Sequence, residues 1–213
     1  MKIVNILIVD DHAIILTGLK QIVQHSTHAK QIDTAANAHE AQGLLKAHPY
    51  NLVLLDISLP DKNGLQLLKQ IRQDFPKLPV LMLSMYPEDQ YAVRAIKAGA
   101  AGYLTKEYAP EELQKAIDKV LAGGKYISAA VAEQLATVVT SPENLAPHDS
   151  LSDREYEVLR LIASGKSVSD IAHDLNKSVK TISTYRSRIL KKMNMNHNAE
   201  LTHYVIKEGL LDK

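Results

Sequence analysis

The sequence predicts an α/β protein in which a doubly wound, five-stranded parallel sheet is followed by a second, smaller, all-helical domain. Five short apolar runs alternate with segments of helical periodicity over the first 125 residues. A polar stretch with two prolines then interrupts the pattern, and no strand-like run occurs beyond it. With 213 residues, the chain is long enough for two domains that each bury a core.

Apolar runs predict the five strands at residues 3–9, 31–36, 52–55, 80–83 and 101–104. Segments with helical spacing predict the helices at residues 12–24, 38–47, 65–74, 90–98 and 111–121. Nearly continuous apolar strands separated by helices are typical of a parallel sheet that is covered on both faces. In such sheets the crossovers are right-handed, and ligands bind at the carboxyl ends of the strands.

A helical extension and a linker are predicted to follow the sheet domain. Residues 128–140 have a further helical pattern, and the proline-containing residues 141–148 are typical of a linker. We therefore expect three regions along the chain, namely a sheet domain at 1–125, an extension with linker at 126–149, and a helical domain at 150–213.

Capping residues predict four short helices in the second domain. Ser152 and Glu155 have the spacing of a capping box, in which each side chain bonds to the other residue's backbone N–H. Further N-cap candidates are Ser167 with Asp170, Ser178 and Asn198.

The composition indicates an ordinary globular protein and excludes several kinds of site. No apolar run reaches the roughly 18 residues that a membrane span needs, so we expect no membrane partner. The apolar N-terminal run ends in two aspartates rather than in the small residues of a signal-peptide cleavage site, and we interpret it as a strand. The absence of cysteine excludes disulfides and thiolate ligands and fits a cytoplasmic protein.

Five polar side chains are predicted to meet at the carboxyl edge of the sheet. Asp10 and Asp11 follow the first strand, Asp56 follows the third, Ser84 ends the fourth, and Lys106 follows the fifth. Clustered carboxylates repel each other unless a cation neutralises them, and Mg²⁺ prefers such oxygen ligands. An acidic site beside a lysine indicates phosphoryl transfer. The alternative is that these aspartates only cap helices, which explains one or two of them but not the set.

Three motifs resemble the receiver domain of two-component response regulators. They are IVDDH at residues 8–12, LLDISLPDKNG at 54–64 and AGAAGYLTK at 98–106, and the similarity covers about residues 3–122. The resemblance implies a flavodoxin-like fold in which Asp56 accepts phosphate from a histidine kinase or a phosphotransfer protein. One departure is Glu107, which stands where many receivers have proline after the lysine.

The same resemblance implies a role for each polar residue of the crevice. Asp10, Asp11, Asp56 and the backbone carbonyl of Ser58 are expected to hold Mg²⁺. Ser84 and Lys106 are expected to contact the phosphoryl group, and Tyr103 is expected to rotate inward behind Ser84. An ordinary core aromatic is the alternative interpretation of Tyr103. His12 lies beside the acidic pair and could serve as a ligand or proton shuttle, but we interpret it as the start of the first helix.

A helix-turn-helix pattern occupies residues 167–193, with the longer helix at about 178–193. Four apolar residues are predicted to form its buried face: Val179, Ile182, Ile189 and Met193. Residues 175–199 contain six basic residues and no acidic one, which is the usual footprint of phosphate-backbone binding. The predicted DNA contacts are Lys177, Lys180, Ser183, Thr184, Arg186, Ser187, Arg188, Lys191 and Lys192.

Residues 150–211 resemble the LuxR-type DNA-binding domain. The similarity rests on LSDREYEVL at 151–159, GKS at 165–167 and VKTISTYR at 179–186. A receiver joined to this domain is the arrangement of the NarL/FixJ class of response regulators. Tyr156 and Tyr185 depart from the residues that the family usually has there. The resemblance implies that the last helix mediates dimerisation, and a four-helix protein-binding module is the alternative for this domain.

The sequence therefore predicts a regulator in which phosphorylation of Asp56 favours a DNA-binding homodimer, and no enzyme beyond the receiver's own phosphoryl transfer and dephosphorylation. A phosphatase of the haloacid dehalogenase type needs a second aspartate two residues after the nucleophile, where this chain has Ser58. A constitutive DNA binder that is never phosphorylated stays open as an alternative. Sensing of acyl-homoserine lactones has no support in the N-terminal pattern.

Overall fold

The protein is described by a computed structural model, which covers residues 4–26, 29–107, 110–140 and 146–211. The chain divides into two compact units, with the division between Glu133 and Gln134. The predicted domain boundaries at 125/126 and 149/150 stay predictions, because the division into compact units lies between them.

The first unit contains a five-stranded, all-parallel sheet with the strand order β2-β1-β3-β4-β5. Its strands are β1 (Val4–Val9), β2 (Ala29–Ala35), β3 (Leu52–Asp56), β4 (Val80–Ser84) and β5 (Gly102–Thr105). The strand order reverses beside β1, which is where doubly wound sheets open a crevice for ligands. The predicted fold class is confirmed.

Five helices cover the two faces of this sheet. They are α1 (Ala13–Ser26), α2 (Ala38–Ala47), α3 (Gly64–Asp74), α4 (Glu88–Lys97) and α5 (Pro110–Leu121). Right-handed crossovers place α1 and α5 on one face and the other three helices on the opposite face. Alternate strand residues such as Ile6, Leu54 and Leu81 form a core with Val23 of α1 and Ile117 of α5.

Polar side chains fix the start of two of these helices. Asn37 accepts a hydrogen bond from the Glu40 N–H at the start of α2, and the buried Asn63 accepts one from the Leu65 N–H at the start of α3. Asp61, from the loop after β3, accepts hydrogen bonds from the first two N–H groups of α2. The loop that follows Asp56 is thereby tied to a neighbouring helix.

The predicted helical extension is observed as α6 (Ala129–Thr140). Most of the predicted linker, residues 141–145, lies outside the described residues. The end of the predicted linker is a 3₁₀ helix at Pro147–Ser150, which the sequence analysis did not foresee.

The second unit contains the four predicted helices, α7 (Asp153–Ala163), α8 (Val168–Asp174), α9 (Val179–Met193) and α10 (Asn198–Lys207). The predicted caps at Ser152, Ser167 and Ser178 are confirmed, since each side chain accepts a hydrogen bond from the N–H three residues on. The prediction that Asn198 caps α10 is wrong, because His197 occupies the cap position without a side-chain bond. The Asn198 side chain instead accepts a hydrogen bond from Arg186.

Among the described residues, no helix is both long and apolar enough to cross a membrane.

Candidate functional site

Three of the predicted crevice residues form a buried, charged cluster at the carboxyl ends of the strands. The Lys106 ammonium lies 2.6 Å from a carboxylate oxygen of Asp10 and 2.8 Å from one of Asp56. The side chains of Asp10, Asp56 and Lys106 are only 1%, 3% and 6% exposed. Parallel strands bring these residues together because their carboxyl ends share one edge of the sheet.

Asp11 and His12 complete this cluster on its solvent side. His12 Nδ1 lies 2.8 Å from Asp11 Oδ1 and 3.3 Å from Asp10 Oδ1. One ligand atom from each of Asp10, Asp11, His12 and Asp56 lies within 4.8 Å of the others, which is a spacing that one metal ion can bridge. His12 also accepts the first backbone bond of α1 through its carbonyl, as expected for a residue that starts this helix.

The donor set fits a hard divalent cation. Three carboxylates offer the oxygen ligands that Mg²⁺ and similar ions bind. Burial raises the pKa of Asp56 to about 6 and Asp10 adds to the rise, although Lys106 opposes both effects. One lysine therefore does not fully compensate the buried negative charge, and a bound cation would supply the remainder.

The loop after Asp56 is held against the strand end. A Cβ atom on Gly64 would lie 2.0 Å from the Asp56 carbonyl oxygen, so only glycine fits there. The Gly64 N–H donates to the Ile57 carbonyl at 2.7 Å, and the Ile57 N–H donates to the Asp56 carboxylate at 2.7 Å. Ser58 is half-buried in this loop, and the use of its carbonyl as a metal ligand stays a prediction.

Ser84 and Tyr103 are linked through the backbone of Tyr86. The Ser84 hydroxyl oxygen accepts a hydrogen bond from the Tyr86 N–H at 3.0 Å. The Tyr103 hydroxyl donates to the Tyr86 carbonyl at 2.8 Å, and Tyr103 is 1% exposed. Tyr103 is thus a buried aromatic whose hydroxyl contacts the loop that follows Ser84, and its switch role stays a prediction.

The peptide bond between Lys106 and Glu107, the residue that stands in place of the usual proline, is trans, since the described residues contain no cis peptide bond.

A second candidate surface is the outward side of α9 in the second unit. Ile182, Ile189 and Met193 are buried, as predicted, and they anchor this helix to its own domain. Val179 was predicted to share this buried face, but the structure leaves it 52% exposed. Val179 is the first residue of α9, three positions before the first buried residue, Ile182.

Most of the predicted DNA contacts are exposed on or next to this surface. They are Lys177, Lys180, Ser183, Thr184, Ser187, Arg188, Lys191 and Lys192. Lys192 is partly engaged elsewhere, because its ammonium lies 2.6 Å from the buried carboxylate of Glu155 and donates to the Ser150 carbonyl. Arg186 is half-buried and donates to Asn198 at 2.6 Å. These two bonds fix α9 to α7 and α10, a role that the sequence analysis missed.

Both candidate sites lie in parts of the chain that match known families. Residues 6–118 match the response regulator receiver domain, and residues 149–205 match the luxR family of bacterial regulatory proteins. The chain is 35% identical over 208 residues to the response regulator UvrY of Escherichia coli O6:H1, which covers 97% of this chain and 95% of UvrY. It is 32% identical over 210 residues to the response regulator GacA of Pseudomonas aeruginosa, which covers 98% of both chains.

Solved structures of the response regulator RcsB from Salmonella Typhimurium have a similar fold. One is 26% identical, covers 98% of this chain and 99% of RcsB, and superposes with a TM-score of 0.71. Another is bound to the promoter P1flhDC in the presence of the phosphomimetic BeF3⁻, and it is 27% identical with a TM-score of 0.67 over 97% of this chain and all of that one.

Proposed function

We propose that phosphorylation of Asp56 switches DNA binding on in this chain, because the chain belongs to the response regulators that join a receiver domain to a LuxR-family domain. The chain is a DNA-binding regulator of transcription rather than a classical enzyme. The observation that carries the proposed switch is the position of Lys106, in ion-pair contact with both Asp10 and Asp56. With bacterial DNA as its partner, the protein works in the cytoplasm.

Asp56 accepts the phosphoryl group from a histidine of a kinase or a phosphotransfer protein. A carboxylate oxygen of Asp56 forms the new O–P bond as the P–N bond to the donor histidine breaks, and the electron pair leaves on the donor imidazole. Lys106 pairs with the negative charge of the transferring group. Asp10, Asp11, Asp56 and the Ser58 carbonyl would hold a divalent cation, which would supply further charge neutralisation. Later, a water oxygen attacks the phosphorus, the O–P bond to Asp56 breaks, and inorganic phosphate is released, which leaves the Asp56 carboxylate free.

Phosphorylation changes the polar contacts behind the crevice. The new group adds negative charge and acceptor oxygens beside Ser84 and Lys106. The Ser84 hydroxyl turns from the Tyr86 N–H toward the phosphoryl oxygens, and Tyr103, whose hydroxyl holds the other side of Tyr86, responds with it. A change from 1:99 to 99:1 between the two states requires about 5.5 kcal/mol of differential stabilisation.

The active state is a dimer with one α9 helix in each of two successive major-groove segments. Lys180, Ser183, Thr184 and Ser187 lie on the exposed side of α9 and read base edges there. Lys177, Arg188 and Lys191 neutralise backbone phosphates, so affinity falls steeply with salt. Arg186 and Lys192 chiefly hold α9 in place and assist phosphate binding.

Labelling with radioactive acetyl phosphate in Mg²⁺ tests the assignment of Asp56. Asp56→Asn should remove the acid-stable, alkali-labile label that an acyl phosphate gives, because the nucleophilic oxygen is lost. Asp74→Asn, which changes an exposed aspartate at the end of α3, should be labelled like the wild type. Full labelling of Asp56→Asn would show that another residue is the acceptor.

A further inference from the structure

The chain returns to the edge of the sheet after α5, at Tyr126. The Tyr126 N–H donates to the Ala101 carbonyl at 2.9 Å, and the Tyr126 carbonyl accepts from the Tyr103 N–H at 3.2 Å. Tyr126 thereby forms an isolated parallel bridge with Gly102 of β5. The backbone that carries Tyr103 is joined directly to the segment that leads into α6.

The absence of a side chain at Gly102 makes this close approach possible. A Cβ atom on Gly102 would lie 2.6 Å from the Tyr126 carbonyl oxygen and 2.8 Å from the side chain of Leu81. Between α5 and Tyr126 the chain turns at Gly123, which lies in the left-handed region at φ 88°. Any larger residue at 102 would therefore push the Tyr126 segment away from β5.

The Tyr126 side chain is fixed as firmly as its backbone. Its hydroxyl donates to the Glu112 carboxylate of α5, and the Lys119 ammonium lies 5.8 Å from the centre of its ring. The ring is partly buried against the core of the sheet. Only two residues separate Tyr126 from the start of α6 at Ala129, and α6 contains the boundary between the two compact units.

We propose that Tyr126 is a positioning residue that transmits the phosphorylation state of Asp56 to α6 and so to the DNA-binding domain, an inference that rests on the proposed function. Consecutive hydrogen bonds connect the parts: Ser84 to the Tyr86 N–H, the Tyr86 carbonyl to the Tyr103 hydroxyl, and the Tyr103 N–H to the Tyr126 carbonyl. When Ser84 leaves Tyr86 for the phosphoryl group, the change in the loop reaches β5 through Tyr103. Tyr126 transmits the shift of β5 to α6 because its backbone is hydrogen-bonded to β5 and its side chain to α5.

The test measures how much beryllofluoride strengthens DNA binding. The DNA is a fragment that the wild-type chain selects from a random library in the presence of beryllofluoride, and the readout is the ratio of Kd without and with that phosphoryl mimic. Tyr126→Phe removes the hydroxyl that bonds to Glu112 and keeps the ring. It should lower this ratio by about 2- to 30-fold, the range over which residues along a coupling route act. Labelling of Asp56 by acetyl phosphate should stay at the wild-type rate.

The opposite edge of the sheet offers a matched control. Tyr50 is also half-buried and donates its hydroxyl to a carboxylate, Asp33 of β2, at 2.5 Å. Tyr50→Phe therefore removes the same kind of bond away from the proposed route, and it should keep the wild-type ratio. A purely structural role of Tyr126 would weaken DNA binding in both states alike and leave the ratio unchanged.

A second pair of variants tests the backbone contact. Gly102→Ala should lower the ratio more than Tyr126→Phe does, whereas Gly18→Ala, whose Cβ meets nothing within 4 Å, should keep it. Thermal unfolding reports whether Gly102→Ala still folds. If this variant does not fold, the Kd ratio of Tyr126→Phe alone tests the role of Tyr126. A wild-type ratio in Tyr126→Phe, or an equal loss in Tyr50→Phe, overturns the role of Tyr126. A wild-type chain whose DNA affinity ignores beryllofluoride overturns the proposed function itself, and with it any transmission through Tyr126.

Discussion

Lysines serve both candidate sites, but Lys106 is buried between two carboxylates, whereas Lys180 and Lys191 of α9 are exposed to solvent. In the crevice, Asp10 and Asp56 are shielded from solvent, so each electrostatic interaction is strong and an unpaired charge is costly. On α9, water screens each charge, and binding depends on the sum of several. The loss of one residue should therefore be severe in the crevice and graded on α9.

Substitution of Lys106 should have the largest effect. Lys106→Met keeps the length of the side chain but removes the charge that pairs with the transferring phosphoryl group. We expect the rate of Asp56 labelling by acetyl phosphate to fall about 100-fold, as for the loss of a fixed donor in other active sites. Lys97→Met, at an exposed lysine of α4, should keep the wild-type rate. Equal rates in the two variants would place Lys106 outside the reaction.

Lys180→Ala should alter sequence preference. Lys180 is exposed at the start of α9, the end of a recognition helix that reaches the bases. We expect a loss of about 1 to 3 kcal/mol in discrimination at one base position, measured by binding-site selection with the beryllofluoride-loaded chain. A uniform loss over all sequences would instead assign Lys180 to a phosphate contact.

The adjacent residues Lys191 and Lys192 offer an internal comparison. Lys191→Ala should reduce the slope of log Kd against log salt by about 1, because Lys191 is free to neutralise a phosphate. Lys192→Ala should change the slope less, since its ammonium pairs with Glu155, and should lower the free energy of unfolding by roughly 1 kcal/mol. The reverse pattern would contradict the division of roles between the two lysines.

The smallest expected effect is a pH dependence at Glu155. Burial alone would raise the pKa of Glu155, but hydrogen bonds from Lys192 and Ser152 outweigh it and hold that pKa below its usual value. The ionised group therefore stabilises the fold above about pH 4.5, and this contribution is lost as the pH falls through the pKa of the folded state.

The unfolding midpoints of the wild type and Glu155→Gln test this dependence. The advantage of the wild type should stay constant from about pH 7 to 5 and shrink as the pH falls from about 4.5 toward 3. The advantage over Lys192→Ala, which breaks the same ion pair from the other side, should show the same trend. An advantage that stays constant below about pH 4.5 as well would mean that the charge of Glu155 is irrelevant to stability.

The sequence was sufficient to predict the sheet and the crevice. The strands are nearly continuous apolar runs, and Asp10, Asp56 and Lys106 had to converge because parallel strands end at a common edge. The helix starts were predictable where a serine caps its own helix, as at Ser152 and Ser178. These features follow from local patterns and from the rules of parallel sheets.

The remaining features depend on contacts between residues far apart in the chain. The helical periodicity predicts that Val179 lies on the apolar side of α9. It does not show which residues on that side are covered by other helices, and Val179 is exposed. The pair of Lys192 and Glu155 joins residues 37 positions apart, and the cap of α2 by Asp61 joins different loops. The bridge at Tyr126 depends on the absence of a side chain at Gly102. The motif at 98–106 contains this glycine but does not indicate its partner.

The affinity of the wild-type chain for its selected DNA fragment, measured with and without beryllofluoride, tests the switch most directly. The account predicts tighter binding with beryllofluoride in the wild type and no change in Asp56→Asn, because the mimic binds at the Asp56 carboxylate. Equal affinity of the wild type in both conditions would contradict the switch and favour a constitutive DNA binder.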